Sequence, residues 1–394
     1  MSDVTIHGEC AARFAPVREQ FAAGFRAGKE IGAALAVMHD GHLVVDLWAG
    51  SADQARTQPW QRDTIVNVYS CTKAMAALCA HQLVERGRLD LDAPVADYWP
   101  EFAQAGKSRL PVRWLLSHRA GLAAVREILP MEALYDWNAM TAALAAEAPW
   151  WEPGSAHGYH AVTFGWLVGE VVRRIDGRSL GTYFRDEIAR PLGLDFHIGL
   201  ADVEHDRVGE LTELGMGDPE ELGDEVLGLA QVILADPSSL AARAFTNPPS
   251  MALGVNNPEW RRAEIPGANG HAGARDLARV YGALARGGDL DDVHVLDPAS
   301  IARLSTEQSF GPDLVLQVVT RFGLGVMLPQ QRTDARFGPS PRAFGHPGAG
   351  GALGFADPDG RVGFGYTPNR LGPHILLDPR AVGLINAVYA SLAH

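Results

Sequence analysis

Residues 65–78 read Ile65-Val66-Asn67-Val68-Tyr69-Ser70-Cys71-Thr72-Lys73-Ala74-Met75-Ala76-Ala77-Leu78, and the change of pattern inside this stretch decides the fold. An apolar run ending at Tyr69 gives way at Ser70 to strong helix formers that continue to Arg86. A serine in the first helical turn lies beside unpaired backbone N–H groups and the positive end of the helix dipole, and a lysine three residues on projects from the same face. The pairing suits nucleophilic chemistry. A lysine desolvated in a crevice loses its preference for the ammonium form, so its amine can take the Ser70 proton as the oxygen attacks a carbonyl. The plainer reading of Ser-x-x-Lys is a helix N-cap and a solvated lysine. Composition favours the chemical one, because Lys29, Lys73 and Lys107 are the only lysines among 34 strong bases.

Outward from this stretch, Phe14, Val17, Phe21 and Phe25 have helical spacing, and two runs, Ala33 to Met38 and His42 to Trp48, flank an Asp40-Gly41 hairpin turn. After Lys73 the pattern is helical, with Val112 to Ser117 and Val162 to Arg174 as further helices. Strand patterning returns near Phe344, with Gly351 to Ala356 and Val362 to Tyr366 joined by the turn Asp357-Pro358-Asp359-Gly360, and Arg380 to Leu392 closes the chain as a helix. Strands at both ends with helices between predict an α/β plus all-α, two-domain fold. Residues 1–75 and 255–394 would form an antiparallel sheet flanked by helices, and 76–254 an inserted, mostly helical domain, with an active site in the crevice between them. The acidic segment Asp202 to Asp236, with Gly215-Met216-Gly217-Asp218-Pro219, reads as a surface excursion, with a lid or pocket wall as the alternative.

Two further segments carry candidate chemistry. Glu152-Pro153-Gly154-Ser155-Ala156-His157-Gly158-Tyr159 is a polar loop running into a helix. A phenol beside a lysine ammonium has its ionised form favoured, so Tyr159 is a candidate to take the serine proton and return it to the leaving alcohol; whether Lys73 or Tyr159 is the base stays open. Phe344-Gly345-His346-Pro347-Gly348-Ala349-Gly350-Gly351 precedes a strand. An N–H at such an edge can stabilise a developing oxyanion, and Ala349 is the candidate, paired with the N–H of Ser70. His346, as a neutral or charged donor, Gly348, Trp151 and His160 are candidate substrate-binding residues. Trp114, Trp150 and Trp166 cluster with Trp151 as pocket walls or as core.

At 394 residues and 47% hydrophobic the chain can bury a large core. A net charge of −13 would repel phosphate backbones and anionic head groups, which argues against nucleic-acid and membrane-surface partners and for a small neutral substrate. Cys10, Cys71 and Cys79 have neither disulfide nor zinc spacing, the start lacks a signal-peptide pattern and no stretch reaches membrane-span length, so the expected location is cytoplasmic. Oligomeric state is not readable.

Taken in order, these elements resemble the class C β-lactamase-like superfamily, and within it the bacterial family VIII carboxylesterases. The resemblance extends through Leu89-Asp90-Leu91-Asp92-Ala93-Pro94-Val95, Tyr98-Trp99-Pro100, Val112 to Leu122, Glu152-Pro153-Gly154, Arg190 to Leu194 and Ala274 to Ala278. It implies an acyl-enzyme on Ser70, proton transfer through Lys73 and Tyr159, no cofactor, and a short-acyl ester as substrate. Two departures bear on specificity. The family's Tyr-x-Asn is Tyr159-His160-Ala161 here, and the β-lactamase Lys-Thr-Gly is His346-Pro347-Gly348. Both changes remove groups that would seat a β-lactam carboxylate, and they argue for a neutral ester. The rival readings are a β-lactamase, a D-amino-acid amidase or peptidase, and a penicillin-binding sensor that acylates without turnover.

Two motifs are expected to be decoys. Gly177-Arg178-Ser179-Leu180-Gly181 matches the α/β-hydrolase elbow, but a helix precedes it where the elbow needs a strand, so Ser179 is expected to cap the next helix. His157, His160 and Glu152 invite a metal site, yet lack a His-Glu-x-x-His pattern, and no metal is expected.

Overall fold

The computed structural model describes residues 4–212, 224–249, 254–330 and 336–393. The chain begins with β1 (Ile6–Cys10), α1 (Ala15–Arg26), β2 (Gly32–His39) and β3 (His42–Gly50), and continues through α2 (Cys71–Glu85) and α3 (Thr163–Asp176). It ends with α4 (Ala274–Ala285), β4 (Phe344–Pro347), β5 (Leu353–Asp357), β6 (Val362–Pro368) and α5 (Pro379–Leu392). Asp40 and Gly41 both take left-handed backbone, with φ of 49° and 83°. Two such residues give a turn whose twist matches its strands, and β2 pairs with β3 across it.

The six strands form one antiparallel sheet in the order β1-β3-β2-β6-β5-β4, three from each end of the chain. The central contact pairs β2 with β6, Ala36 opposite Gly365. Successive residues of β6 point to opposite faces, and the two faces are covered by different means. A Cβ on Gly363 would lie 2.2 Å from Gly282 N, and one on Gly365 2.0 Å from Ala274 O, so glycine lets α4 pack directly onto the backbone of β6. On the other face the Tyr366 hydroxyl donates to Glu30, which also accepts from Arg380 of α5 at 3.1 Å. The sheet is thus a layer between helices, as the alternating ends of the sequence predicted.

Within the middle of the chain the described elements are mainly helices, but Val66–Asn67, Phe196–His197 and His271–Ala272 make a small three-stranded sheet. The apolar run before Ser70 supplies its first strand. α2 is buried on nearly every side and packs against α3 and against β4, which explains its lack of a polar face.

One expectation needs correcting. Phe344 to Pro347 is itself the edge strand β4 rather than a lead-in to a strand: His346 pairs with Gly354 and Pro347 with Leu353. Proline is tolerated at the end of an edge strand because no ladder N–H is needed there. Of the acidic excursion, Asp202–Arg207 forms a short 3-10 helix and Asp224–Ala235 an α-helix, with Val203 and Leu234 more than 80% exposed. Gly215 to Pro219, on which the lid alternative rested, lie outside the described residues.

Candidate active site

Ser70 is presented by a backbone turn. Tyr69, between the strand Val66–Asn67 and α2, has φ of +45°, an unfavourable value for a bulky residue that persists only where surrounding structure enforces it. Thr72 does so: its hydroxyl donates to Tyr69 O at 2.5 Å and accepts from Gly270 N at 2.8 Å. Ser70 follows as the residue flanking α2, without capping the helix by its own side chain, so its hydroxyl is left for other partners.

Lys73 is that partner. Its Nζ lies 2.9 Å from Ser70 Oγ and 2.6 Å from each of two carbonyl oxygens, Ala161 O and Gly267 O. The residue is 0% exposed, and burial pushes its amine well below the ordinary lysine value. The coordination fits both protonation states. A neutral amine has two hydrogens, one for each carbonyl, and a lone pair left for the Ser70 hydroxyl; an ammonium has three donors for the same three oxygens.

Tyr159 approaches the serine from another side. Its phenol interacts with the Ser70 hydroxyl, and Lys73 Nζ lies 4.7 Å from its ring centroid. The ring stacks on Phe322 at 6.0 Å and tilts against His118 at 5.1 Å. The expectation that a lysine ammonium would favour the phenolate is overturned here. Burial is the largest influence on Tyr159 and holds its phenol protonated far above the usual tyrosine range, while the same burial disfavours the ammonium that was to stabilise the phenolate.

The turn after β4 abuts the serine loop. Cys71 Sγ donates to His346 O at 3.1 Å, and a Cβ on Gly348 would fall 2.3 Å from Val68 O. Gly348 therefore permits this close approach; its N–H is taken by Ala352 O at 2.7 Å, so the residue acts through its lack of a side chain. Ala349, next in the chain, is 6% exposed, and its N–H makes no hydrogen bond among the described residues. His346 is neutral, its imidazole pushed down to about 3 by burial and then by Lys73. Its Nδ1 lies 2.7 Å from Pro347 O, which fixes the proton there and leaves Nε2 as a buried, unpartnered acceptor. The expected donor is thus an acceptor.

His160 is not brought to the substrate side. It is fully buried, with Nδ1 against Gly158 O at 2.7 Å and Nε2 accepting from Leu122 N at 3.2 Å, and burial pushes it down to about 4. Trp151 is partly exposed beside it, its ring perpendicular to that of His160 at 6.0 Å and its indole N–H donating to Ala156 O at 3.1 Å. Trp166 is wholly buried core, whereas Trp114 and Trp150 are half-buried around the same loop. The metal grouping does not assemble: His160 has spent both nitrogens, His157 Nε2 pairs with Thr320 Oγ1 at 2.8 Å, and Glu152 is exposed.

Ser179 follows the helix α3, whose end is marked by the left-handed Gly177, and its Oγ accepts from Thr182 N while donating to Glu264 at 2.6 Å. It caps the helix Leu180–Phe184 as expected. Ser179→Ala should cost about 1 kcal/mol of stability and leave kcat within about twofold of wild type, as read by thermal unfolding and initial rates; a collapse of kcat in a folded variant would make Ser179 the nucleophile.

Sequence reasoning missed several participants. The Gly267 carbonyl, the Thr72 hydroxyl, His118 and Asp313 all touch the site or its immediate support. Carbonyls carry no sequence signature, and Asp313 is 154 residues from the Tyr159 N–H that it accepts.

The comparisons with known proteins agree with this geometry. The family model described as Beta-lactamase matches residues 17–386. The chain is 38% identical over 377 residues to the Esterase/beta-lactamase LipL of Mycobacterium tuberculosis, covering 95% of this chain and 85% of that protein. Among solved structures it resembles a family VIII carboxylesterase at 43% identity and a TM-score of 0.89, over 98% of this chain and all of that one. It also resembles a penicillin-binding protein homologue from Caulobacter crescentus at 45% identity and a TM-score of 0.90, with the same coverage. With a family model spanning nearly its whole length and a serine, lysine and tyrosine gathered at the head of α2, the chain belongs to the beta-lactamase family.

Proposed function

We propose that the protein is a serine carboxylesterase that hydrolyses small, short-acyl esters through an acyl-enzyme on Ser70. The observation that carries this reading is the desolvated Lys73 amine 2.9 Å from Ser70 Oγ. Ser70 Oγ attacks the ester carbonyl, its proton passes to the Lys73 amine, and the N–H groups of Ser70 and Ala349 receive the oxyanion. Collapse breaks the bond to the alcohol, which takes a proton from the Tyr159 phenol, and Lys73 returns one to Tyr159. Water then repeats the sequence on the acyl group and frees Ser70. No step calls for a metal or cofactor. The relatives named as esterases support the substrate class.

The site lies, in this reading, in the crevice between an α/β part (1–75 and 255–394) and a helical part (76–254), with Trp151 at its rim. The neutral His346, the Pro347 beside it and the Ala161 methyl offer no cation or amide for a β-lactam carboxylate, which favours neutral esters. Three unpaired thiols support a reducing, cytoplasmic setting. Among the described residues no helix is long and apolar enough to cross a membrane, and the acidic chain gives no footing for nucleic acid.

A parallel assay on a short-chain p-nitrophenyl ester and a chromogenic cephalosporin tests the substrate class. The expected kcat/KM is at least about 100-fold higher for the ester, the scale on which a mismatched polar site discriminates. Equal or faster cephalosporin turnover would overturn the specificity argument, and a stoichiometric burst without steady turnover would identify a sensor.

A further inference from the structure

Asp313 lies between two short paired strands, Ser309–Pro312 and Val319–Phe322, and its side chain is 0% exposed. Its Oδ1 accepts three backbone N–H groups, from Tyr159 at 3.0 Å, Val315 at 2.8 Å and Leu316 at 2.9 Å. Its Oδ2 accepts from the Thr320 hydroxyl at 3.0 Å, and that hydroxyl also lies 2.8 Å from His157 Nε2. His157, 3.9 Å from the carboxylate, is held below its ordinary value by burial, so it tends to neutrality. Four hydrogen bonds satisfy the buried carboxyl group, and the one from Tyr159 ties the tyrosine backbone to this loop.

We infer that Asp313 is a positioning residue for the reaction: through the Tyr159 N–H its buried carboxyl group holds the tyrosine backbone so that the phenol is aimed at the oxygen of the leaving alcohol. The inference rests on the proposed role of Tyr159 as donor to the alcohol.

Two esters with the same acyl group separate that role from simple structure. A p-nitrophenolate leaves without a proton, whereas the alcohol of a methyl ester needs one, and kcat/KM reports acylation alone for both. Asp313→Ala should lower kcat/KM for the methyl ester at least about tenfold more than for the p-nitrophenyl ester, and Asp313→Asn, which keeps Oδ1, at least about threefold more. Equal losses on both esters, or no loss, would overturn the inference. Thermal unfolding checks that each variant is folded, and if Asp313→Ala is not, Asp313→Asn decides on the same ratio. Tyr159→Phe is measured alongside. A leaving-group bias in Tyr159→Phe but not in the Asp313 variants defeats the inference alone; its absence in Tyr159→Phe defeats the proposed role of Tyr159 and the inference with it.

Discussion

Ser70→Ala is expected to lose on the order of 10⁴-fold or more in kcat on a p-nitrophenyl ester, the scale seen when a nucleophile acting in concert with its base is removed. Nothing adjoining can replace it. Cys71 is the nearest alternative, but its thiol is buried, directed at His346 O and pushed up to about 12 by burial, so almost no thiolate exists at neutral pH. Ser179 is committed to its helix cap and to Glu264. The stability of the variant should change little, because the Ser70 hydroxyl does not cap α2. Initial rates combined with thermal unfolding check both halves of this expectation, and a folded Ser70→Ala that retains turnover would show the wrong serine has been chosen.

Lys73→Met should be nearly as damaging, with kcat down roughly 10³-fold or more, and the pH profile of wild type should show why. The Lys73 amine is the active form, and it exists only above its own pKa. Burial depresses that value well below the ordinary lysine range, so activity is lost as pH falls through the depressed value and persists on the alkaline side. A base with an unshifted lysine value would instead give a rate still climbing near pH 10. His118, His160 and His346 are all held neutral by burial and are not expected to add an acid limb near pH 6.5. A kcat/KM profile that rises only in strongly alkaline solution would contradict the desolvated base. Lys73→Met removes the amine while keeping the aliphatic stem, so packing around Tyr159 is largely preserved.

Much of this architecture was legible because local signals agreed with the global fold. Asp40-Gly41 specified a hairpin by backbone conformation alone, and the run ending at Tyr69 followed by Ala- and Leu-rich residues marked where strand becomes helix. The spacing of Ser70 and Lys73 on one turn foretold their contact, since residues three apart share a helix face. What was not legible depended on burial and on backbone partners. The protonation of Tyr159 followed burial rather than its lysine neighbour, and burial is decided by residues far away in the sequence, such as Phe322. His160 looked available in a polar loop, yet Leu122 N and Gly158 O claim its nitrogens. His346 reversed from donor to acceptor at Nε2 because its Nδ1–H donates to the Pro347 carbonyl. In each case burial or a backbone hydrogen bond that residue types do not encode set the chemistry of the side chain.

The most direct test of the account is to mix the protein with a short-acyl p-nitrophenyl ester, quench in acid within the first turnovers, and map the acyl group by peptide mass spectrometry. The account predicts one acyl group per chain, on Ser70, that disappears when the quench is delayed past substrate exhaustion and never forms in Ser70→Ala. Acylation of another residue, or ester turnover with no acyl-enzyme and undiminished in Ser70→Ala, would contradict it.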